Sequence, residues 1–267
     1  MSESDVELAL TPQIEARLGG SPLIIMLDVD GTLAPIVSRP EDATVAQATR
    51  DVLDRLIALP DVQVILVSGR AASDAYGIVG VEGVWTVGNH GFEVVTPAGE
   101  LETDPDLADQ SAAIAQAARE LEPIVGAVTG AKLENKRWTL SVHYRLAARD
   151  AVPSLREQVE RVALGLRLRM TDGKEIVEVR PVAHVDKGTA VVMLGERLHA
   201  FDDGASIVFA GDDRTDEDAF RALRARAPKA VTIRVDESGQ EKTAAEIRLR
   251  DPAAVHDFLE WLAAHRA

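Results

Sequence analysis

Residues Leu23–Leu33 read LIIMLDVDGTL. An apolar run of strand character ends in two aspartates spaced i, i+2, followed at once by Gly-Thr. Side chains alternate across a strand, so Asp28 and Asp30 share one side while Val29 takes the other. Two carboxylates at the end of a buried strand repel each other in a medium of low dielectric. A pair kept there implies a cation between them, or a carboxylate that does chemistry. Gly31 lets the backbone turn sharply and exposes amides, and Thr32 adds a hydroxyl. The plainer reading is an ordinary strand-to-loop turn rich in Asp and Gly. The rest of the chain decides between the two.

Three further apolar runs follow: VQVILVSGR (62–70), VWTVGNHG (84–91) and SIVFAGDD (206–213). Continuous runs of this kind read as parallel strands buried on both faces. Between the first two runs, Val45, Ala48, Val52, Leu56 and Leu59 recur at near-helical spacing. Strand–helix–strand alternation predicts an α/β fold with a doubly wound, mostly parallel sheet. Ligands bind such sheets beyond the carboxyl ends of the strands. All four runs finish at that edge in polar, Gly-containing signatures: DVDGT, SGR, GNHG and GDD.

A different pattern fills residues 100–181. Helical spacing covers 107–122 through Leu107, Ile114, Ala118 and Leu121, and strand-like pieces follow at 126–133 and 138–144. A second helix fits 150–164, and strands fit 166–170 and 175–180, joined by a turn at Thr171–Lys174. This αββαββ order predicts a small α+β domain inserted into a core made of residues 1–99 and 182–267. Trp85 and Trp138 read as core residues, and His143 and Tyr144 as packing the strand. Residues 252–265 read as a closing amphipathic helix.

The chain has 267 residues and a formal charge of −15. Such a surface repels nucleic acid and anionic membranes, so neither is expected as a partner. An anionic ligand would need positive charge supplied locally. The absence of cysteine excludes disulfides, thiol catalysis and Cys-ligated metals. No apolar run approaches the roughly 18 residues of a membrane span. The first residues, MSESDVELAL, lack the basic region and long apolar stretch of a signal peptide. A cytoplasmic protein is expected, and nothing demands more than a monomer.

The remaining polar signatures suit one chemistry. In Ser68-Gly69-Arg70 a hydroxyl and a backbone amide at a strand end suit a phosphoryl oxygen, although a loop capping the next helix explains them as well. Lys187, in HVDKGTAV just before a helix, can set a point charge on a phosphate. GDDRTDED (211–218) brings Asp212, Asp213 and Asp216 directly after a buried strand. Acidic residues favour helix N-termini, which accounts for Asp216, Glu217 and Asp218 better than for Gly-Asp-Asp. A Mg²⁺ site takes a few carboxylate oxygens and completes its shell with water and phosphate; Asp28, Asp30 and Asp212 offer these. Together the parts describe phosphoryl transfer through an aspartyl-phosphate. One carboxylate attacks in line, and the other protonates the leaving oxygen and then activates water. Thr32, Ser68, the amide of Gly69 and Lys187 are the phosphate-binding candidates.

DVDGT, SGR, Lys187 and GDDRTD, in that order, resemble the four signatures of the haloacid dehalogenase-like (HAD) phosphatases. The resemblance implies a Rossmann-like core in which Asp28 is the nucleophile and Asp30 the general acid/base. It implies that Asp28, Asp212 and the backbone carbonyl of Asp30 hold Mg²⁺, with Asp213 and Asp216 orienting the metal shell and the lysine. GNHG (88–91), ENKRWTLSVHYR (134–145), GKEIVEVRP (173–181) and GDDRTDED are similar to motifs of the trehalose-6-phosphate phosphatases. That likeness implies that the insert is a cap, and that His90, Glu134, Lys136, Arg145, Lys174 and Glu178 bind a sugar phosphate. Charged side chains do form strong hydrogen bonds to hydroxyls, although on the residues alone a solvated surface accounts better for the five cap residues. Three readings compete: a HAD phosphatase for sucrose 6-phosphate or a glycosyl-phosphoglycerate, a phosphomutase with the same core, and a non-catalytic phosphosugar-binding module.

Overall fold

The computed structural model describes residues 10–37, 39–102, 105–173, 175–182, 185–239 and 242–266; Lys174 lies outside them. In chain order the helices are α1 (Pro12–Leu18), α2 (Gln47–Ile57), α3 (Ala72–Val79), α4 (Pro105–Gly126), α5 (Val152–Gly165), α6 (Lys187–Arg197), α7 (Asp216–Arg226) and α8 (Pro252–Arg266). The strands are β1 (Leu23–Leu27), β2 (Val62–Val67), β3 (Trp85–Gly88), β4 (Glu93–Val95), β5 (Leu101–Glu102), β6 (Lys132–Asn135), β7 (Leu140–His143), β8 (Leu168–Gly173), β9 (Ile176–Pro181), β10 (Ser206–Gly211), β11 (Val231–Val235) and β12 (Ile247–Leu249). Two compact units result: Met1–Glu102 with Val185–Ala267, and Thr103–His184. Among the described residues no helix is long and apolar enough to cross a membrane.

The first unit holds an eight-stranded sheet in the order β12-β11-β10-β1-β2-β3-β4-β5. From β12 to β3 the pairing is parallel; β4 and β5 add an antiparallel edge. Every residue of β1 is fully buried, as expected for a strand covered on both faces. Leu23, Ile25 and Leu27 pack into the core that includes Val52, Leu56, Phe258 and Leu262. Ile24 and Met26 point the other way, into the core of Phe209, Phe220, Val191 and Leu194. Each such large side chain contributes about 1.5–3 kcal/mol relative to exposure. Leu27 pairs with both Leu66 and Ala210, so three strands end level and their next residues leave the sheet side by side. This register sets Asp28, Ser68 and Asp212 at one edge.

The second unit is a four-stranded antiparallel sheet, β6-β7-β9-β8. One face carries Leu140, Val142, Val177 and Val179, packed with Ile114, Leu121 and Val125 of α4 and Leu155 and Val159 of α5. On the other face Glu134 pairs with Ser141 and Ser141 with Glu178, forming one row across three strands. Trp138 and Trp85 are buried.

Two expectations fail here. Residues 126–133 are not a strand from the start, because α4 runs to Gly126 and β6 begins only at Lys132. The spacing of Ile114, Ala118 and Leu121 continues to Val125, which is buried, so core contact carries the helix one more turn. Thr171–Lys174 is not a loop as a whole either. Thr171, Asp172 and Gly173 pair with Glu178, Val177 and Ile176, which pushes the connection outward.

Candidate active site

At the level ends of β1 and β10 an acidic cluster closes around one lysine. Lys187 opens α6, whose start is fixed by a reciprocal cap: Thr189 N donates to Asp186 Oδ1 (2.7 Å) and Asp186 N donates to Thr189 Oγ1 (3.0 Å). Lys187 is buried, and its Nζ donates to Asp28 Oδ1 (2.6 Å) and Asp216 Oδ1 (2.8 Å). Asp216 Oδ2 accepts from the amides of Asp212 and Asp213, both at 3.0 Å. Asp213 Oδ1 accepts from the amide and hydroxyl of Thr215 (2.8 Å each) and from Asp216 N (3.0 Å). The loop from 212 to 216 is therefore closed on itself by carboxylates.

Burial pushes the Asp28 carboxyl up to about 6, against the pull of Lys187. Burial, with Asp216 and Asp213 nearby, pushes Asp212 up to about 7. Asp213 is exposed at the rim; partial desolvation would raise it, but Lys187 and the hydrogen bonds within the loop hold it down at about 2. Burial would lower Lys187, yet Asp28 and Asp216 outweigh it and raise its pKa.

The acids fit a divalent cation on two counts. Carboxylate oxygens of Asp28, Asp212 and Asp216 lie within 4.8 Å of one another. The Asp212 carboxylate also occupies the space of an absent side chain: a Cβ on Gly31 would lie 2.1 Å from Asp212 Oδ2. Gly31 has φ +82° as well, so glycine is required there for both reasons. Asp216 is engaged on both oxygens, which leaves Asp28 and Asp212 as the side-chain donors suited to a hard cation.

On the β2 side, Arg70 forks onto Asp30: Nε donates to Oδ2 (2.5 Å) and Nη2 to Oδ1 (2.6 Å). Ser68 is buried and its Oγ accepts from Arg70 N at 3.1 Å. Thr32 is buried, and its Oγ1 has no hydrogen-bond partner among the described residues. His90 adopts a left-handed backbone (φ 60°), and its imidazole lies over Gly69, where a Cβ would come within 2.6 Å of the ring. His90 N donates to Ser68 O (3.0 Å) and Asn89 N to Arg70 O (2.6 Å), so the GNHG turn is tied to the SGR loop.

In the second unit, Lys136 Nζ stands 3.9 Å from both Glu134 Oε2 and Glu178 Oε1. His143 does not merely pack the strand; its Nε2 lies 2.9 Å from Glu134 Oε2. Arg145 stands apart from this group and donates to Glu175 Oε2 at 2.9 Å.

These arrangements can be set beside known proteins. A model of the family described as trehalose-phosphatase matches residues 26–253. The chain belongs to the trehalose-phosphatase family. A trehalose-phosphate phosphatase of Mycolicibacterium paratuberculosis is 38% identical over 262 residues, covering 97% of this chain and 66% of that protein. An uncharacterized glycosyl hydrolase of Mycobacterium tuberculosis is also 38% identical, over 96% of this chain but 19% of its own length. The chain thus spans about two thirds of the first relative and about a fifth of the second. A structure of Aspergillus fumigatus trehalose-6-phosphate phosphatase shares the fold, with TM-score 0.72 and 24% identity over 99% of this chain and 98% of that one. The trehalose-phosphatase match takes in both units and all the site residues from Asp28 to Asp216.

Arg70, Glu93 and Arg234 join the site through contacts that the sequence patterns do not show. Glu93 is buried and its Oε2 accepts from Ala72 N at the start of α3 (2.9 Å), which steadies the end of the SGR loop. Arg234 donates to the Asp213 carbonyl. Only Arg70 had a local signal, since it follows Ser68-Gly69 directly.

Proposed function

We propose that this chain is a Mg²⁺-dependent phosphatase that hydrolyses trehalose 6-phosphate to trehalose and phosphate through an aspartyl-phosphate at Asp28. The observation that carries the proposal is the buried Asp28 carboxylate, with Lys187 at 2.6 Å and Asp212 beside it within the three-acid cluster. Membership of the trehalose-phosphatase family and the names of the relatives support the choice of sugar.

Asp28 attacks the phosphorus in line. Lys187 steadies the reacting oxygens, and Thr32, Ser68 and the Gly69 amide bind the remaining phosphoryl oxygens. Asp30, held by the fork of Arg70 on both oxygens in this structure, gives up one of those hydrogen bonds to carry a proton; it then protonates the leaving sugar oxygen and, as water displaces phosphate from Asp28, takes a proton from that water. Asp28, Asp212 and the Asp30 carbonyl would hold Mg²⁺, which would supply positive charge to offset that of the carboxylate and the phosphate. Asp216 and Asp213 brace that arrangement through Lys187 and the 212–216 loop. Glu134, Lys136 and Glu178, with Arg145 and Lys174, bind sugar hydroxyls, and His90 is a further sugar-binding candidate. Residues 100–181 act as the cap. A cytoplasmic monomer suffices, because each proposed catalytic group belongs to one chain, and neither nucleic acid nor membrane is a partner.

The test is phosphate release from a panel of sugar phosphates with Mg²⁺ and with EDTA. Trehalose 6-phosphate is expected to be preferred, and EDTA to abolish release. Preference for sucrose 6-phosphate or a glycosyl-phosphoglycerate would overturn the substrate, and full activity in EDTA would overturn the metal.

A further inference from the structure

Strand β11 reads VTIRV, and its fourth residue puts a charge where its neighbours are apolar. Arg234 pairs with Gly211 and stands on the same face as Phe209, the face covered by Phe220 and Leu223 of α7. It is 5% exposed. A guanidinium in such a place is costly unless its charge is matched and its N–H groups are used. Glu217 supplies the charge: it is 7% exposed, and its Oε1 lies 3.8 Å from Arg234 Nη1. Its Oε2 accepts from Ala244 N at 2.8 Å. The proposed reaction uses neither residue.

The guanidinium also reaches the site. Arg234 Nη1 donates to the backbone carbonyl of Asp213 at 2.6 Å. That carbonyl belongs to the residue after Asp212, in the loop whose carboxylates are closed on themselves. Asp212 fills the space a side chain on Gly31 would take and lies in the cluster with Asp28, so a shift of this loop carries its carboxylate with it. Groups that orient metal ligands from behind commonly change affinity by about 10–100-fold when removed.

We infer that Arg234, held by Glu217, is a positioning residue for Asp212: through the Asp213 carbonyl it fixes the carboxylate that faces Asp28. The inference rests on the proposed Mg²⁺ site. It carries an unusual sign. A positive charge near a cation site repels the cation, so if charge alone mattered, Arg234→Gln would tighten Mg²⁺ binding. Positioning requires the opposite.

The experiment is calorimetric titration of the full chain with Mg²⁺, without substrate, for the unsubstituted protein, Arg234→Gln, Arg234→Lys and Glu217→Gln. Arg234→Gln is expected to weaken Mg²⁺ by about tenfold or more, and Arg234→Lys to fall between it and the unsubstituted chain, because a lysine keeps the charge but lacks the rigid planar guanidinium. Unchanged or tighter binding in Arg234→Gln overturns the inference, even if its melting temperature in EDTA falls. Should Arg234→Gln fail to fold, Glu217→Gln decides: weaker Mg²⁺ binding is expected, and unchanged binding overturns the inference. Absence of Mg²⁺ binding by the unsubstituted chain would instead overturn the metal reading beneath it.

Discussion

The two units treat their carboxylates in opposite ways. In the first, the Asp28 and Asp216 side chains are 5% and 0% exposed and share one lysine. In the second, Glu134 and Glu178 are 45% and 32% exposed, and Lys136 stands between them at 3.9 Å from each. Burial raises Asp28 and Asp212, whereas His143 and Lys136 outweigh burial at Glu134 and lower it. Desolvated acids packed together hold a cation or attack phosphorus, because each suffers from the charge of the others until something positive arrives. Half-exposed acids with a nearby cation stay in contact with water, which suits accepting hydrogen bonds from neutral hydroxyls. The contrast supports the proposal that chemistry belongs to the first unit and selection to the second, and each side of it can be broken separately.

The largest effect is expected from Asp28→Asn. Turnover should fall by about 10⁴-fold or more, equally for trehalose 6-phosphate and p-nitrophenyl phosphate, with the circular dichroism spectrum unchanged. Phosphate release at the parent rate would remove Asp28 as nucleophile. Gly31→Ala comes next. Its methyl group meets the Asp212 carboxylate in a backbone conformation that disfavours alanine, and a loss of about 10²-fold in activity together with weakened Mg²⁺ binding is expected. Arg70→Gln, which frees Asp30, should cost about tenfold in kcat/KM on the sugar phosphate, less on p-nitrophenyl phosphate, whose leaving group needs no acid. Equal losses on the two esters would show that Arg70 acts on the fold and not on Asp30.

The smallest effect is one of pH on stability. Asp28 and Asp212 titrate near 6 and 7 in the folded chain and near 4 when unfolded. The folded state therefore binds more protons between these values, and this contribution is lost as pH rises through the window. In EDTA these acids should weaken the fold from about pH 4 to about pH 7, and the rise in melting temperature produced by Mg²⁺ should grow over the same range. A rise independent of pH would place the cation elsewhere.

What could be read from the sequence follows the range of the interactions. Asp28, Asp30, Lys187 and Asp212 lie in short signatures at strand ends, and the parallel register brings these ends level. The apolar runs of β1, β2, β3 and β10 were visible because strands buried on both faces tolerate little else. Strand β11 was not, since Arg234 interrupts its run; only the fold shows that Glu217 and the Asp213 carbonyl await that charge. The fork of Arg70 on Asp30 spans 40 residues of chain, and Glu93 reaches the start of α3 from the next hairpin. Such pairs leave no periodicity. The end of α4 is hidden for a similar reason: Gly and β-branched residues over 126–130 suggest a strand, while the packing of Val125 keeps the preceding turn helical.

The division between the units is tested most directly by the Glu178→Ala variant, through the ratio of kcat/KM on trehalose 6-phosphate to that on p-nitrophenyl phosphate. A fall of about 10²-fold on the sugar phosphate is expected, with the small ester held within about twofold. An equal fall on both esters would contradict the separation of selection from chemistry.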